Sequence, residues 1–375
     1  MINGDNFNNH SKRPHILVAP LDWGLGHATR CIPIIKHLIF LNIDLTIIAS
    51  GNSFFLLKKE FPQLKILQIK GYKIHYSRKK KNLPFVLLAQ FPKLIFTVIR
   101  EHYWLKNFLK NNKADAVISD NRFGLYNKKI VSVYITHQLL IKAGNSFIEK
   151  VLQQFHYFFI KKFTHCWVPD YEKNGLAGDL SHPKKIPANA AYIGSLSRFE
   201  ILSEAKKIFD VLILISGPEP QRTIFEQIII SQSKNSNKKI LLIRGLPQEK
   251  ENLQTTNASI NIINHLSAEE MNTCIQQSKL VISRCGYSTV MDLVRLRANA
   301  VLVPTPGQTE QEYLAEYLMQ KKYFICMNQD NFKINEAMEM ALTFQFIKAD
   351  QVQLIYKNVL NEFVQSLKSG KFATQ

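Results

Sequence analysis

Little in this chain marks a secreted, metal-bound or membrane-spanning protein. Its five cysteines, Cys31, Cys166, Cys274, Cys285 and Cys326, form no C-x-x-C pair and leave an odd one over. That pattern excludes a zinc ribbon or a disulfide framework and fits reduced thiols in the cytoplasm. The longest apolar stretch, Leu83 to Ile99, is broken by Pro84, Gln90, Pro92 and Lys93. It is shorter than the ~20 residues a bilayer crossing needs. Residues 1–13 lack the charged-then-apolar order of a signal peptide and read as a loose polar tail. There is no Asp-x-Asp pair, the nearest approach being Asp170-Tyr-Glu172, so no metal is expected. Acidic residues are scarce as well, 29 against 48 Lys and Arg, for a net charge of +19.

The scarcity is uneven. Residues 1–200 hold 29 Lys and Arg against 12 Asp and Glu, whereas residues 201–375 hold 19 against 17. A lysine-rich genome would raise the total without sparing one half, so the first half is expected to face an anionic partner. Arg78-Lys79-Lys80-Lys81 precede the apolar stretch, and Arg100, Trp104, Lys106 and Lys110 follow it. Such a mix suits either an anionic membrane surface or a core helix with a solvated basic flank. Nucleic acid is not expected, because the lysines are dispersed and no recognition motif is present.

At 375 residues, 46% of them apolar, the chain has room for two domains. Apolar runs at His15–Pro20, Leu45–Ser50, Ala116–Asp120, Val131–Thr136 and Cys166–Pro169 alternate with helical spacing such as Ile32, Ile35, Leu38 and Ile39. The pattern restarts at Val211–Ile215, Lys239–Ile243, Val281–Ser283 and Val301–Val303. It predicts an α/β protein with two parallel sheets covered by helices. The expected organisation is the tail 1–13, a first domain 14–198 and a second domain 199–375, with the last helix packing back on the first domain. In such sheets ligands bind beyond the carboxyl ends of the strands, and two facing domains make a cleft.

Three strand-to-helix turns fall at those ends. Gly24-Leu25-Gly26-His27 leaves backbone N–H groups at a helix start, where a phosphate or a reacting hydroxyl can approach. His27 suits a general base or a residue that merely caps the turn. The third glycine of a dinucleotide fingerprint is missing, as is an acidic residue near Ser50-Gly51-Asn52, so a dehydrogenase is disfavoured. Ser216-Gly217 opens a second such turn. Arg284-Cys-Gly286-Tyr-Ser288-Thr289-Val-Met-Asp292 is a third, whose hydroxyls either cap the helix or hold a phosphate, with Asp292 one turn on and able to accept both hydroxyls of a ribose. Asp120-Asn-Arg122 and His137-Gln138 follow strands of the basic half, where they either touch substrate or cap loops.

With Val303-Pro304 and Gln311-Glu312-Tyr313 in order behind the third turn, the chain resembles the inverting glycosyltransferases of family 28. These are the MurG-type enzymes built as two facing Rossmann-like domains, the GT-B fold. The resemblance covers residues 14–330 and implies a nucleotide-sugar donor, specifically a UDP-sugar, with no separate cofactor. It places Gly24, Gly26 and His27 near the acceptor and the reacting bond. Arg198, in Gly194-Ser-Leu-Ser-Arg198, corresponds to an interdomain arginine that approaches the diphosphate. By the same resemblance Ser216 and Gly217 fall on the second phosphate loop, and the backbone at His265 and Leu266 at the uracil edge. Gly286, Ser288 and Thr289 lie under the diphosphate, Asp292 at the ribose, and Gln311 and Glu312 at the donor sugar.

The expected reaction moves a sugar, with inversion and without a metal, to a hydroxyl acceptor that is lipid-linked. His27, Asp120 or His137 takes the hydroxyl proton, while Arg198, Arg284 and the helix N-termini stabilise the leaving diphosphate. The expected location is cytoplasmic, peripheral on the inner membrane face. The rivals are a nucleotide-sugar hydrolase or epimerase of the same fold and, more distantly, a nucleic-acid-binding protein. The first loop reads Asp22-Trp-Gly-Leu-Gly-His in place of a longer glycine run, and Glu312 stands where the family has a second Gln. Both departures bear on which sugar and which acceptor are used.

Overall fold

The computed structural model describes residues 13–72, 91–142, 145–251, 253–255, 257–350 and 353–370. The tail, Arg78–Lys81 and the start of the apolar stretch at Leu83–Gln90 lie outside them.

The first sheet contains β1 (His15–Pro20), β2 (Asp44–Ala49), β3 (Lys65–Gln68), β4 (Ala116–Asp120), β5 (Val131–Ile135), β6 (His165–Val168) and β7 (Ala190–Tyr192). They stand in the order 3-2-1-4-5-6-7, every neighbouring pair parallel. The second sheet contains β8 (Phe209–Leu214), β9 (Ile240–Ile243), β10 (Ile260–Ile263), β11 (Ser278–Arg284), β12 (Ala300–Val303) and β13 (Ile325–Cys326), ordered 10-9-8-11-12-13 and again parallel. The central strands are mostly apolar and most of their residues are buried, as crossover helices on both faces require. Two Rossmann-like α/β domains therefore face each other. The order reverses between β1 and β4 in one sheet and between β8 and β11 in the other, and open sheets of this kind form their ligand crevice at such reversals.

Strands β3, β7, β10 and β13 escape the sequence reading. Each has four residues or fewer and lies at a sheet edge, where exposed positions such as Lys65 and Gln68 dilute the apolar signal.

The helices are α1 (Leu25–Phe40), α2 (Gly51–Glu60), α3 (Phe91–Asn111), α4 (Ser146–Ile160), α5 (Gln221–Ser233), α6 (Ala268–Gln276), α7 (Tyr287–Arg295), α8 (Thr309–Gln320), α9 (Ile334–Thr343) and α10 (Tyr356–Lys368). Helix α3 takes up the second part of the apolar stretch. Its face at Val98, Trp104 and Leu105 packs inward, while Phe96, Ile99 and Tyr103, at i, i+3 and i+7, form an exposed stripe.

One apolar cluster runs from Ile16 and Ile35 through Tyr287 and Met291 to Leu360 and Phe363, so the two halves share a core. Helix α10 lies on α1, where the Asn361 carboxamide oxygen meets Nε2 of His37 at 2.9 Å, and Phe363 packs edge-on against Trp167 of β6. Polar contacts fix the halves further: Tyr287 donates to the carbonyl of Pro169, Tyr317 to that of Gly175, and the amide of Ala268 to Glu60.

Candidate active site

The turn after β1 enters α1 through Gly24, whose φ of 82° favours glycine, and no side chain caps the helix. His27 then lies in the first helical turn. Its Nδ1–H donates to Asp120 Oδ1 at 3.1 Å, from the last residue of β4. Its other ring nitrogen, Nε2, makes no hydrogen bond among the described residues. Arg30, one turn on and buried, gives Nε to Asp120 Oδ2 at 2.6 Å and Nη2 to Oδ1.

Asp120 is fully buried. Desolvation alone would raise its pKa, but the fork of Arg30 and the ring of His27 outweigh that and hold it at about 2. It is therefore a fixed negative charge at neutral pH. His27 is shifted down, first by burial and also by Arg30, against the opposing pull of Asp120. A neutral imidazole with Nδ1–H on a carboxylate keeps a lone pair on Nε2, the arrangement of a general base.

His137 completes this cluster. Its Nδ1 accepts from Arg30 Nη1 at 3.2 Å, its Nε2 donates to Glu310 of the second half at 2.7 Å, and its ring stacks on Tyr287 at 4.2 Å.

Facing it is the start of α7, where Gly286 is the N-cap and no side chain bonds to the free amides. Neither Ser288 nor Thr289 caps. Ser288 donates instead across the cleft to the carbonyl of Gly26 at 2.8 Å, and Thr289 makes no hydrogen bond among the described residues. A Cβ at Gly26 would lie 3.3 Å from the Ser288 hydroxyl, so a larger residue here would press on this contact. Gly217, with φ of 102°, leaves its turn open toward Thr305, whose buried hydroxyl has no partner. His265 and Leu266 follow β10. Burial first, then Lys59 and Arg198, pull the His265 imidazole down to about 4, which places this turn beside Arg198.

The comparisons with known proteins bear on this cleft. Residues 211–362 match the model of the glycosyltransferase family 28 C-terminal domain. The UDP-N-acetylglucosamine--N-acetylmuramyl-(pentapeptide) pyrophosphoryl-undecaprenol N-acetylglucosamine transferase of Rickettsia canadensis is 23% identical over 248 residues, covering 62% of this chain and 68% of its own. The second half of the chain is thus similar to the C-terminal domain of family 28 glycosyltransferases, and the chain as a whole to MurG-type enzymes. An uncharacterized glycosyltransferase of Methanosarcina acetivorans is 23% identical over 324 residues, covering 80% and 82%. Among solved structures, Acinetobacter baumannii MurG superposes with a TM-score of 0.50 over 95% of each chain at 13% identity. Arabidopsis thaliana UGT89C1, complexed with UDP-L-rhamnose, gives 0.59 at 11% identity over 95% of this chain and all of that one. These likenesses show the GT-B fold.

Within this glycosyltransferase some residues sit elsewhere than expected. Arg284 does not face the cleft. It is buried, lies over the Phe225 ring at 4.3 Å, and donates to the Gln221 carbonyl and the Gln329 side chain at 2.8 and 2.6 Å. Desolvation lowers its pKa to about 9. It pins the start of α5 to Gln329, and its guanidinium does not reach the cleft where it was expected. Gln311 and Glu312 also turn to their own loop, Gln311 accepting from the amide of Thr305 at 2.9 Å and Glu312 from that of Gly307 at 3.1 Å. Asp292 already holds the interdomain segment: it accepts from the Ser197 hydroxyl at 2.7 Å and lies 3.7 Å from Arg198 Nε. Arg122, expected to touch substrate or cap its loop, instead forms a buried pair with Glu101 at 2.8 Å.

Sequence reasoning missed Arg30 and Glu310. Arg30 had a signal, a charged residue among Ala28, Cys31 and Ile32 on the apolar stripe of α1. Glu310 had none, because acidic residues are common in first helical turns.

Proposed function

We propose that this glycosyltransferase moves a sugar from a uridine-diphosphate donor to a hydroxyl acceptor, with inversion and without a metal. The observation that carries this is the His27–Asp120 pair standing one residue from the Ser288–Gly26 contact, so that base and uncapped α7 start meet across one cleft. The donor nucleotide lies over the turns at Ser216-Gly217, His265-Leu266 and Gly286–Thr289. His27 Nε2 takes the acceptor proton as the oxygen attacks the anomeric carbon from the face opposite the diphosphate. A placed base of this kind contributes roughly 10²–10⁴-fold. Arg198 and the helix N-termini of α5 and α7 offset the charge that develops on the leaving group.

The acceptor is lipid-linked in this proposal, and the basic half works at an anionic membrane surface. The support is the exposed stripe of α3 together with a second on α4, where Phe147, Val151 and Phe158 are exposed and Phe147 is 73% open. Val98 of α3 and Phe155 and Phe159 of α4 belong to one apolar cluster, and Lys106, Lys110, Lys150 and Lys161 are exposed on or directly after the same two helices. Apolar rings flanked by lysines are the composition of an interfacial surface. No helix among the described residues is long and apolar enough to cross a membrane. The relatives named for an undecaprenol-linked acceptor point the same way.

The test is a panel of nucleotide sugars screened by thermal shift, since a ligand at ~100 times its Kd adds about 2.7 kcal/mol. Products are then read by mass spectrometry with vesicle-borne polyprenyl diphosphate sugars, and the anomeric configuration by NMR. Uridine nucleotides raise the melting temperature and the acceptor gains one sugar. Release of free sugar irrespective of acceptor marks a hydrolase and sinks the transferase reading. Equal binding to neutral and anionic vesicles at low salt sinks the membrane surface.

A further inference from the structure

One polar contact across the cleft has no role in the reaction as described. Glu310, in the first turn of α8, reaches out of the second half and accepts from His137 Nε2 at 2.7 Å. The opposite ring nitrogen of His137 lies 3.2 Å from Nη1 of Arg30, a group that can only donate. These neighbours fix the tautomer: Nδ1 accepts, and the proton sits on Nε2 facing Glu310. Arg30 then serves both oxygens of Asp120, and Asp120 orients His27. Five side chains thus make an unbroken line from a helix of the donor half to the base.

The line passes a point of competition. Nη2 of Arg30 lies 2.9 Å from Nδ1 of His27, the same nitrogen that donates to Asp120. Were Arg30 to donate there, the His27 proton would move to Nε2, and the lone pair needed by the acceptor hydroxyl would be lost. Which donor wins depends on how the fork of Arg30 is held, and its Nη1 end is held by His137.

We propose that Glu310 is a positioning residue that arms the base from across the cleft, by locking His137 and through it the fork of Arg30. The proposal rests on the glycosyltransferase reading of this cleft. Tyr287, stacked on His137 and also from the second half, reinforces the lock.

The test uses the full chain with Glu310→Ala, Glu310→Gln, His137→Ala and the Glu310→Ala/His137→Ala pair. Glu310→Ala lowers kcat by about 10–100-fold, the range for displaced catalytic geometry. Donor KM and uridine-nucleotide Kd stay within about twofold, as expected for a group that does not bind the ground state. Glu310→Gln, which keeps an acceptor oxygen, retains most of kcat. The double variant is no slower than His137→Ala, because both act on one line.

A rise in donor KM at constant kcat means that Glu310 binds the sugar, and it overturns the proposal. So do additive losses in the double variant. Nitrogen-15 NMR of His27 gives a readout independent of turnover: Glu310→Ala moves the proton from Nδ1 toward Nε2. An unchanged His27 tautomer overturns the proposal even if activity falls. Should the wild-type chain transfer no sugar to any acceptor, the function fails while the tautomer experiment still judges this contact.

Discussion

Asp120 in the first half and Asp292 in the second are both buried beside an arginine, yet burial wins at one and loses at the other. Asp120 receives two donors from Arg30 and one from His27 and is held at about 2. Asp292 has the Ser197 hydroxyl and an arginine at 3.7 Å, and desolvation carries it up to about 6. The cost of burying a carboxylate is of similar kind at both sites, so the number and reach of the positive donors decide the sign. The first site is a permanent charge that can orient a base. The second grips Arg198 loosely, and an arginine so held is free to turn toward a stronger anion such as a diphosphate.

The largest effect expected from this contrast is on rate. His27→Ala removes the base that Asp120 orients and lowers kcat by roughly 10²–10⁴-fold, with nucleotide affinity unchanged by isothermal titration. Loss of affinity with little loss of kcat would move the chemistry out of the first half. The pH profile sharpens the same point. Because the His27 pKa lies below its ordinary value, the neutral form persists and the acid limb of kcat/KM falls below pH 6.5. Asp120→Asn removes the carboxylate that raises His27, so the limb moves to still lower pH.

Asp120→Asn also tests stability. A depressed folded pKa contributes stability that is complete above the ordinary carboxylate value of 3.8 and is lost as pH falls toward 2. At neutral pH the substitution forfeits it and leaves Arg30 buried without its counterion, for a cost of about 3–5 kcal/mol in denaturant unfolding. Ser288→Ala is milder. It removes one hydrogen bond between the halves, worth about 0.5–1.5 kcal/mol, and shows as a small loss in denaturant unfolding with the melting temperature little changed.

Much of the fold and part of the site could be read from the residues, for reasons these side chains make plain. Strands β1 and β4 carry the short apolar runs Ile16–Pro20 and Ala116–Ile118, and the polar or turn-forming residues that follow mark their ends without coordinates. Helix α1 begins at Leu25, inside the segment Gly24–His27 that reads as a turn, because Gly24-Leu25-Gly26 has the composition of a loop while only Gly24 has a loop conformation. His27, Asp120 and His137 could be named because each follows a strand end. Their linkage through Arg30 could not be, since it depends on which oxygen each N–H reaches. Arg284 was misassigned for a related reason: its place at the end of β11 was legible, but the inward turn of its side chain onto Phe225 and Gln329 is set by packing far along the chain.

The smallest expected effect is the most discriminating. Asp292 has a folded pKa above its unfolded one, so its ionisation works against folding at pH 7, and that cost disappears as pH falls below the ordinary carboxylate value. Asp292→Asn keeps the shape and can still accept from Ser197, so the melting temperature at pH 7 is unchanged or higher. At pH 4, where the native carboxyl already carries its proton, the variant and the parent melt alike. A loss at pH 7 comparable to that of Asp120→Asn would show that Arg198 grips Asp292 as firmly as Arg30 grips Asp120. Arg198 would then be committed to its own domain, and the anion that this cleft is proposed to bind would have to find its positive charge at the helix N-termini alone.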